Sequence, residues 1–174
     1  MKSKIRIIAI IFTVILIVIV FYTYPRQINK SLEGIVYRNG SENNNYEEKV
    51  DIKINGTLRY NLLGNKVFKG AIKINGKDTF KFSGEQLNIE FKLPLLGKNG
   101  GILYHFYSDI SVYGFIFING EFDQLTIQKQ EKFSNGEVGW KVENGLMISA
   151  PATNRNEAVR ISNEILKGFT HILE

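Results

Sequence analysis

Cysteine is absent from this chain, and histidine occurs only twice, at His105 and His171. A chain without cysteine forms no disulfide, has no thiolate nucleophile and cannot be lipidated through a thiol. The two histidines are far apart in the sequence, so they lack the close spacing of a zinc-binding pair. We expect His105, in an aromatic run, to be a hydrogen-bonded strand residue and His171 to lie on the polar side of a C-terminal helix.

The usual motifs of catalysis and nucleotide binding are also missing. There is no Gly-x-Ser-x-Gly elbow and no dinucleotide fingerprint, and glycine-rich residues 97–101 lack the Lys-Ser/Thr of a phosphate-binding loop. Asn119, Glu121 and Asp123 offer three oxygen ligands for a cation, but such groups are common beside turns. The sequence therefore predicts no catalytic residue, no cofactor or cofactor-binding residue and no metal ligand, and it favours a protein that is not an enzyme.

Acidic residues are missing from the first 24 positions, and this explains most of the net charge of +5. Lys2, Lys4 and Arg6 supply three of the positive charges, and the remainder of the chain is nearly balanced. Binding to nucleic acid requires a strong basic excess on the folded part, which is not found here. We therefore expect no nucleic-acid partner.

The strongest single signal is an uncharged apolar run at residues 7–24. Its eighteen residues, at about 1.5 Å each, make roughly 27 Å of helix, which is enough to cross a bilayer. A secretory signal has a shorter apolar core and small residues at its cleavage site, whereas this run ends in Phe21, Tyr22 and Tyr24. The run is predicted to be an uncleaved transmembrane helix, and a signal peptide is the alternative interpretation.

The charges that flank this run predict its orientation. Three basic residues precede it, against Arg26 and Lys30 soon after it. The positive-inside rule then places residues 1–6 in the cytoplasm and residues 25–174 outside. We expect a single-pass protein of the cell membrane with an external C-terminal domain.

Short strand-like segments dominate the rest of the chain. We interpret residues 25–47 as a linker with a first extended segment and residues 48–174 as one extracytoplasmic domain. Alternating apolar and polar residues predict strands at 50–54, 58–62, 67–74, 79–82, 87–93, 102–107, 111–118, 124–128, 139–142 and 146–149. This pattern is typical of a mostly β (α+β) fold, here an antiparallel meander sheet or a partly closed sandwich or barrel.

One amphipathic helix is predicted at the end of the chain, over about residues 154–173. Its apolar residues fall within one arc of a helical wheel. Asn154 followed by Glu157 resembles a capping box, which marks a helix start. We expect the helix to pack on the sheet, because its polar side has few of the basic residues that a membrane-surface helix carries.

The pentapeptide Ile-Lys-Ile-Asn-Gly occurs at residues 52–56 and again at 72–76, and Ile-Asn-Gly returns at 118–120. Asn-Gly is a strong hairpin-turn signal. Around the first copy, a two-residue loop would put the apolar residues of the two strands on opposite faces, whereas a three-residue loop aligns them. The sequence thus predicts three-residue or bulged hairpin loops with unusual backbone angles at Gly56 and Gly76.

Aromatic residues crowd two neighbouring predicted strands. Core packing is the favoured interpretation of this cluster, because large rings fill the space between strands and other elements. A groove for a carbohydrate or a peptide is the alternative. The residues concerned are Tyr104, Phe106, Tyr107, Tyr113, Phe115 and Phe117.

Four stretches carry a resemblance to a known family: VDIKINGTL at residues 50–58, FKGAIKING at 68–76, GFIFINGEF at 114–122 and NGLMISAPATNRNEA at 144–158. They resemble a functionally uncharacterised family of small membrane-anchored proteins from low-GC Gram-positive bacteria of the Bacillus/Clostridium group, over about residues 48–168. The resemblance implies an anchor, an exported domain and a bacterial host. Its shared motifs are turn and core residues, so it implies no active site.

Together these observations predict a membrane-anchored extracytoplasmic module that binds or interacts at the cell envelope without catalysis. Its expected partners are the membrane, through residues 7–24, and an envelope protein, a peptide or a wall component. The alternatives are an extracytoplasmic enzyme and a lipid-handling or membrane-complex accessory protein. A cleft with converging carboxylates would favour the enzyme, and an enclosed apolar cavity would favour lipid handling.

Overall fold

The computed structural model of the protein describes residues 2–40, 45–78, 87–91, 99–106 and 110–167. The predicted strand at 79–82 and the predicted helical residues 168–173, with His171, lie outside these ranges. The described elements, in chain order, are α1 (Lys2–Thr23), β1 (Arg26–Arg38), β2 (Glu47–Tyr60), β3 (Lys66–Ile74), β4 (Lys77–Asp78), β5 (Leu87–Phe91), β6 (Gly100–Phe106), β7 (Ile110–Asn119), β8 (Gln124–Lys129), β9 (Glu131–Lys132), β10 (Val138–Gly139), β11 (Leu146–Ala150) and α2 (Arg155–Leu166).

The main sheet is antiparallel and curls into a nearly closed barrel. Its hydrogen-bonded neighbours follow the order β4-β3-β2-β1-β11-β8-β7-β6, and β5 pairs with β3 beside β4. β5 also lies against β6, since a Cβ at Gly101 would come within 2.5 Å of Ile89. The predicted mostly β fold is confirmed, and of the two expected architectures the partly closed barrel is observed. The order is not a simple meander, because β11 lies between β1 and β8.

Aliphatic side chains fill the barrel interior. Along β2, Val50, Ile52, Ile54 and Leu58 are at most 3% exposed, while the residues between the first three of them face water. Full burial of each such side chain stabilises the fold by about 1.5–3 kcal/mol. The described interior positions of the other barrel strands add to the same cluster, which is the main core.

Three phenylalanines close one end of the barrel. Phe122 lies in the turn between β7 and β8, and its ring centroid is 5.0 Å from that of Phe68 and 5.9 Å from that of Phe91, both edge-on. All three rings are fully buried. Phe122 has a φ of 62°, which is rare for an aromatic residue. Burial of its ring between two others offsets the cost of this backbone conformation.

Helix α2 covers one outer side of the barrel, where it packs on β1, β7, β8 and β11. Its first turn is capped by Asn154, whose side-chain oxygen accepts a 3.0 Å hydrogen bond from the Glu157 amide, as predicted. Ala158, Ile161 and Leu166 are buried against the sheet. The prediction that this helix packs on the sheet is confirmed.

The two identical pentapeptides adopt different structures. At the first copy, β2 runs straight through Asn55 and Gly56, and Gly56 lies directly opposite Gly70 of β3. The predicted hairpin loop at Gly56 is therefore wrong. Gly56 faces the barrel interior, as Ile54 and Leu58 do, so a single strand puts these apolar residues on one face without any loop.

At the second copy a hairpin is present, but its loop has two residues and not three. Ile74 pairs with Lys77 across Asn75 and Gly76, whose φ angles are 50° and 71°. Two positive φ values are the signature of the type I′ turn, which Asn-Gly favours. The predicted unusual angle at Gly76 is confirmed and the predicted loop length is wrong.

The segment 25–47, interpreted as a linker with a first extended segment, contains a central strand of the barrel. β1 pairs with β2 along residues 26–37 and with β11 at residues 35–38. Many of its side chains before residue 34 are polar, since Asn29, Ser31 and Glu33 point outward. The apolar alternation that marks a half-buried strand is therefore weak in this segment.

Helix α1 is solvent-exposed along its length, and residues Lys4–Thr23 are long and apolar enough to cross a membrane. A secretory signal meets the same criterion. The last turn of α1 contacts the barrel, where the ring centroid of Tyr22 lies 5.5 Å from that of Tyr60 at the end of β2. The helix thus meets the barrel at the end that the three phenylalanines close.

Candidate functional site

The side of the barrel opposite α2 presents polar side chains from three adjacent strands. Helix α2 packs on β1, β7, β8 and β11 and contacts β2 at Glu47. Within the described part of the chain, it leaves the rest of β2, β3 and the first half of β1 uncovered. Outward residues here are exposed or half-exposed, and we call them the open face: Gln27, Asn29, Ser31, Glu33, Lys49, Asp51, Lys53, Asn55, Thr57, Arg59, Lys69, Ala71 and Lys73.

Two lysines oppose each other directly at the centre of the open face. Lys53 of β2 pairs with Lys73 of β3 on one side and with Ser31 of β1 on the other. Directly opposed residues of antiparallel strands have Cβ atoms about 4.5–5.5 Å apart, and like charges in this arrangement are destabilising. On its other side Lys73 is paired with Asp78 of β4. The row across the strands is therefore Ser31, Lys53, Lys73 and Asp78, with two basic residues at its centre, where an anion could be bound.

The next row along the strands contributes amides. Asn29 lies opposite Asn55, and Asn55 lies opposite the small side chain of Ala71. The two rows border a cleft of about 430 Å³. Its outward lining side chains are Asn29, Ser31, Lys53, Asn55, Ala71 and Lys73. The cleft therefore offers hydrogen-bond donors and positive charge, a combination that binds phosphate, sulfate or carboxylate oxygens.

A second cleft of about 360 Å³ continues the open face toward α2, and Thr153 is among its lining residues. Two carboxylates meet here, because Glu33 lies directly opposite Asp51. Asn75 fixes the strand beside them, since its Oδ1 accepts a 3.0 Å hydrogen bond from the Asp51 amide. Both carboxylates are exposed to water. An acid–base site is usually a shielded one, and these two side chains are open to solvent.

The three residues considered as cation ligands lie in and beside the β7–β8 turn, where they make other contacts. Glu121 accepts a hydrogen bond from Arg26, and Asp123 accepts a 2.5 Å hydrogen bond from Lys30. The Lys30 ammonium lowers the pKa of Asp123. Asn119 donates to Gln124 at 3.2 Å. The carboxylates of Glu121 and Asp123 are thus paired with basic residues of β1. Among the described residues, no group of three or more His, Asp or Glu side chains is suited to holding a metal ion.

Lys66 links the same turn to β3. Its Nζ donates to the Gly120 carbonyl at 3.0 Å and to Asn99 Oδ1 at 3.1 Å. Burial lowers the pKa of Lys66, and the nearby carboxylates of Glu121 and Asp123 oppose this shift. The contacts hold the phenylalanine-closed end of the barrel together and serve the fold.

The aromatic cluster serves mainly to pack the fold. Phe117 is 1% exposed, and Phe115 packs beside it under α2. Tyr113 packs on the barrel core, and burial raises its pKa to about 12. Core packing is confirmed for these three, while Tyr104 is 36% exposed. His105 lies in β6 opposite Ser111.

Sequence reasoning placed Lys53 on the polar side of a strand but missed its pairing with Lys73, because it ended that strand in a hairpin at Asn55-Gly56. The available signal was the spacing of the apolar residues. They occupy every even position from Val50 to Leu58 except Gly56, so one uninterrupted strand accounts for them, and it pairs with β3 on both sides of Gly56.

Comparison of the chain with protein-family models, with curated proteins and with solved structures finds no match.

Proposed function

We propose that this protein is a non-catalytic binding module of the cell envelope, anchored in the cell membrane by α1 with the barrel outside the cell. Its ligand in this proposal is an anionic wall polymer that lies along the open face. The observation that carries the proposal is the direct opposition of Lys53 and Lys73 on a polar sheet surface that no helix covers among the described residues.

Electrostatics supports an anionic ligand. A phosphate or carboxylate group between Lys53 and Lys73 would accept a charge-assisted hydrogen bond from each ammonium group and would offset the repulsion between them. Lys73 makes a further interaction within the fold, and the ligand would add to it. Lys69, Lys49 and Arg59 extend the basic character along the same strands. The flanking amides and hydroxyls suit the polyol groups that link charged units in such polymers.

The position of the cleft supports a ligand outside the membrane. Lys53 is seven residues from Tyr60, where β2 meets the end of α1. At about 3.3 Å per residue this is roughly 23 Å along the strand. With α1 in a membrane, a polymer chain close to the surface would reach the open face without entering the bilayer.

The two alternative functions have less support. An enzyme requires a shielded acid or an activated nucleophile, whereas Glu33 and Asp51 are exposed and Glu121 and Asp123 are ion-paired. Lipid handling requires internal space, whereas the described interior positions of the barrel are occupied by buried aliphatic and aromatic side chains.

Binding of poly(glycerol phosphate) to the full-length protein in phosphatidylcholine nanodiscs tests the proposal. The double variant Lys53→Gln/Lys73→Gln should lose about tenfold or more in affinity, equivalent to about 1.4 kcal/mol. Wild-type binding should weaken as salt rises, because the charges are exposed and screened.

A matched variant separates a site from a general charge effect. Lys132→Gln/Lys167→Gln removes the same charge from exposed positions outside the open face and should bind normally. Uncharged dextran should not bind to any variant. Equal losses in both double variants, or no binding by the wild type, would overturn the proposal.

A further inference from the structure

The loop between β2 and β3, residues 61–65, exposes two adjacent leucines. Leu62 is 72% exposed and Leu63 is 73% exposed, more than any other described large hydrophobic residue except Phe21 in α1. A leucine pair at a loop tip presents continuous apolar surface to its surroundings. Exposure of such a pair to water does not stabilise the protein, so the position of the loop in the molecule indicates what covers the two leucines.

The loop is held in a defined conformation. The Asn61 side-chain oxygen accepts hydrogen bonds from the amides of Leu63, at 3.0 Å, and Asn65, at 2.9 Å. In the backbone, the Asn61 N–H donates a hydrogen bond to the Asn65 carbonyl, and the Gly64 N–H donates one to the Asn61 carbonyl. Gly64 has a φ of 80°, which closes the turn. The two leucines are therefore presented by a built turn.

This turn lies beside the last turn of α1. A Cβ at Gly64 would be 3.4 Å from the Tyr22 hydroxyl, and Tyr22 also contacts Tyr60 at the start of the loop. Only Tyr24 and Pro25 separate α1 from β1. Three Cα–Cα steps join Thr23 to Arg26 and span at most about 11 Å, so this end of the barrel cannot move far from the end of the helix.

We infer that Leu62 and Leu63 insert into the lipid leaflet at the C-terminal end of α1 and seat the barrel on the bilayer. The inference rests on the membrane anchoring in the proposed function. Tyr22 and Tyr24 at the end of an apolar helix are suited to the membrane interface. Because the leucine turn contacts Tyr22, it lies at the same depth, where apolar side chains enter the acyl boundary. The partner in this inference is the bilayer itself, because the leucine turn lies next to the helix that anchors the protein in it.

The absence of cysteine allows a direct test on the full chain. Four single-cysteine variants are labelled with a polarity-sensitive fluorophore and reconstituted in phosphatidylcholine–phosphatidylglycerol vesicles. The variants are Leu62→Cys, Leu63→Cys, Val138→Cys and Val14→Cys. Val138 is the matched control, since it is an exposed apolar residue, 61% exposed, in β10. Val14, in the middle of α1, reports the anchor.

Labels at 62 and 63 should be quenched by nitroxides attached to lipid headgroups. They should also be protected from aqueous iodide, with an iodide quenching constant at least about threefold below that of the label at 138, because the acyl boundary excludes water. Iodide access at 62 and 63 equal to that at 138, with position 14 protected, would overturn the leucine insertion alone. Iodide access at position 14 would overturn the anchor and the insertion together. Polymer binding by the open face is measured separately and does not depend on either label.

Discussion

Alanine at Gly56 should destabilise the protein, because this glycine lies where β2 and β3 approach each other closely. A Cβ at this position would lie 2.3 Å from the Lys69 carbonyl oxygen and 2.7 Å from the Gly70 Cα atom. Both are backbone atoms, so no side-chain rotation relieves the clash. The Phe68 ring, 2.9 Å from the same point, closes the remaining space inside the barrel.

The size of the effect follows from two opposing contributions. Overpacking a filled core costs about 1–3 kcal/mol. Replacing glycine by alanine also restricts the unfolded chain, which offsets about 0.5–1 kcal/mol of that cost. We expect Gly56→Ala to lower the free energy of unfolding by about 1–2 kcal/mol. Gly56→Asn should cost about 1–3 kcal/mol more, because it buries an amide without a partner.

Gly76 provides a matched control, since it ends the second copy of the same pentapeptide. It has a φ of 71°, and no atom of the described residues lies within 4 Å of a Cβ placed there. Asparagine tolerates this backbone conformation, so Gly76→Asn should change the free energy of unfolding by at most about 0.5 kcal/mol. The same substitution is thus expected to be tolerated at one copy and damaging at the other.

Urea unfolding of the full-length protein in detergent micelles measures these differences. The single tryptophan, Trp140, packs beside the residues buried under α2 and provides the fluorescence signal. Equal effects of asparagine at Gly56 and Gly76, or a more stable Gly56→Ala variant, would refute the close pairing of β2 with β3 at this glycine.

Three further predictions concern the closed end of the barrel and the start of α2. Phe122→Ala should cost about 3–5 kcal/mol in urea unfolding, because it removes a fully buried ring from the closed end of the barrel; a loss below 1 kcal/mol would contradict the packing. Asn154→Ala should cost about 1 kcal/mol and Asn154→Ser much less, since serine also caps a helix. Hydrogen bonds from Thr153 lower the pKa of Glu157, so its contribution to stability is present above the ordinary value of 4.5 and is lost as pH falls below it. Glu157→Gln should accordingly flatten the acid side of the stability–pH curve, and an unchanged curve would show that the cap does not depend on this charge.

Most elements that depend on local sequence could be predicted. The capped start of α2 follows from Asn154 and Glu157, which are three residues apart and contact each other within one helical turn. The strands near residues 67–74, 111–118 and 124–128 follow from local hydrophobicity, and they are observed as β3, β7 and β8. In each case neighbours in the sequence are also neighbours in space.

The candidate site could not be predicted in the same way. Its centre joins Lys53 to Lys73 and to Ser31, three residues whose proximity depends on the register of three strands. The register of the strands depends on which apolar residues share the barrel interior and on where glycines let two strands approach each other closely. One wrongly placed hairpin turn changes the register of every strand pair beside it. Interpreting Asn55-Gly56 as a hairpin produced that error.

By itself, the sequence determined an apolar helix near residues 7–24, alternating strands and a capped amphipathic helix, because periodicity and caps act over a few residues. The tertiary structure alone decided that β1 and β11 are neighbours, that one Asn-Gly turns while its copy continues straight, and that two lysines are opposed on the open face. The identical pentapeptides differ because Gly56 faces Gly70 inside a barrel, whereas Gly76 faces open space. Such a difference comes from non-local packing, which outweighs local turn preference.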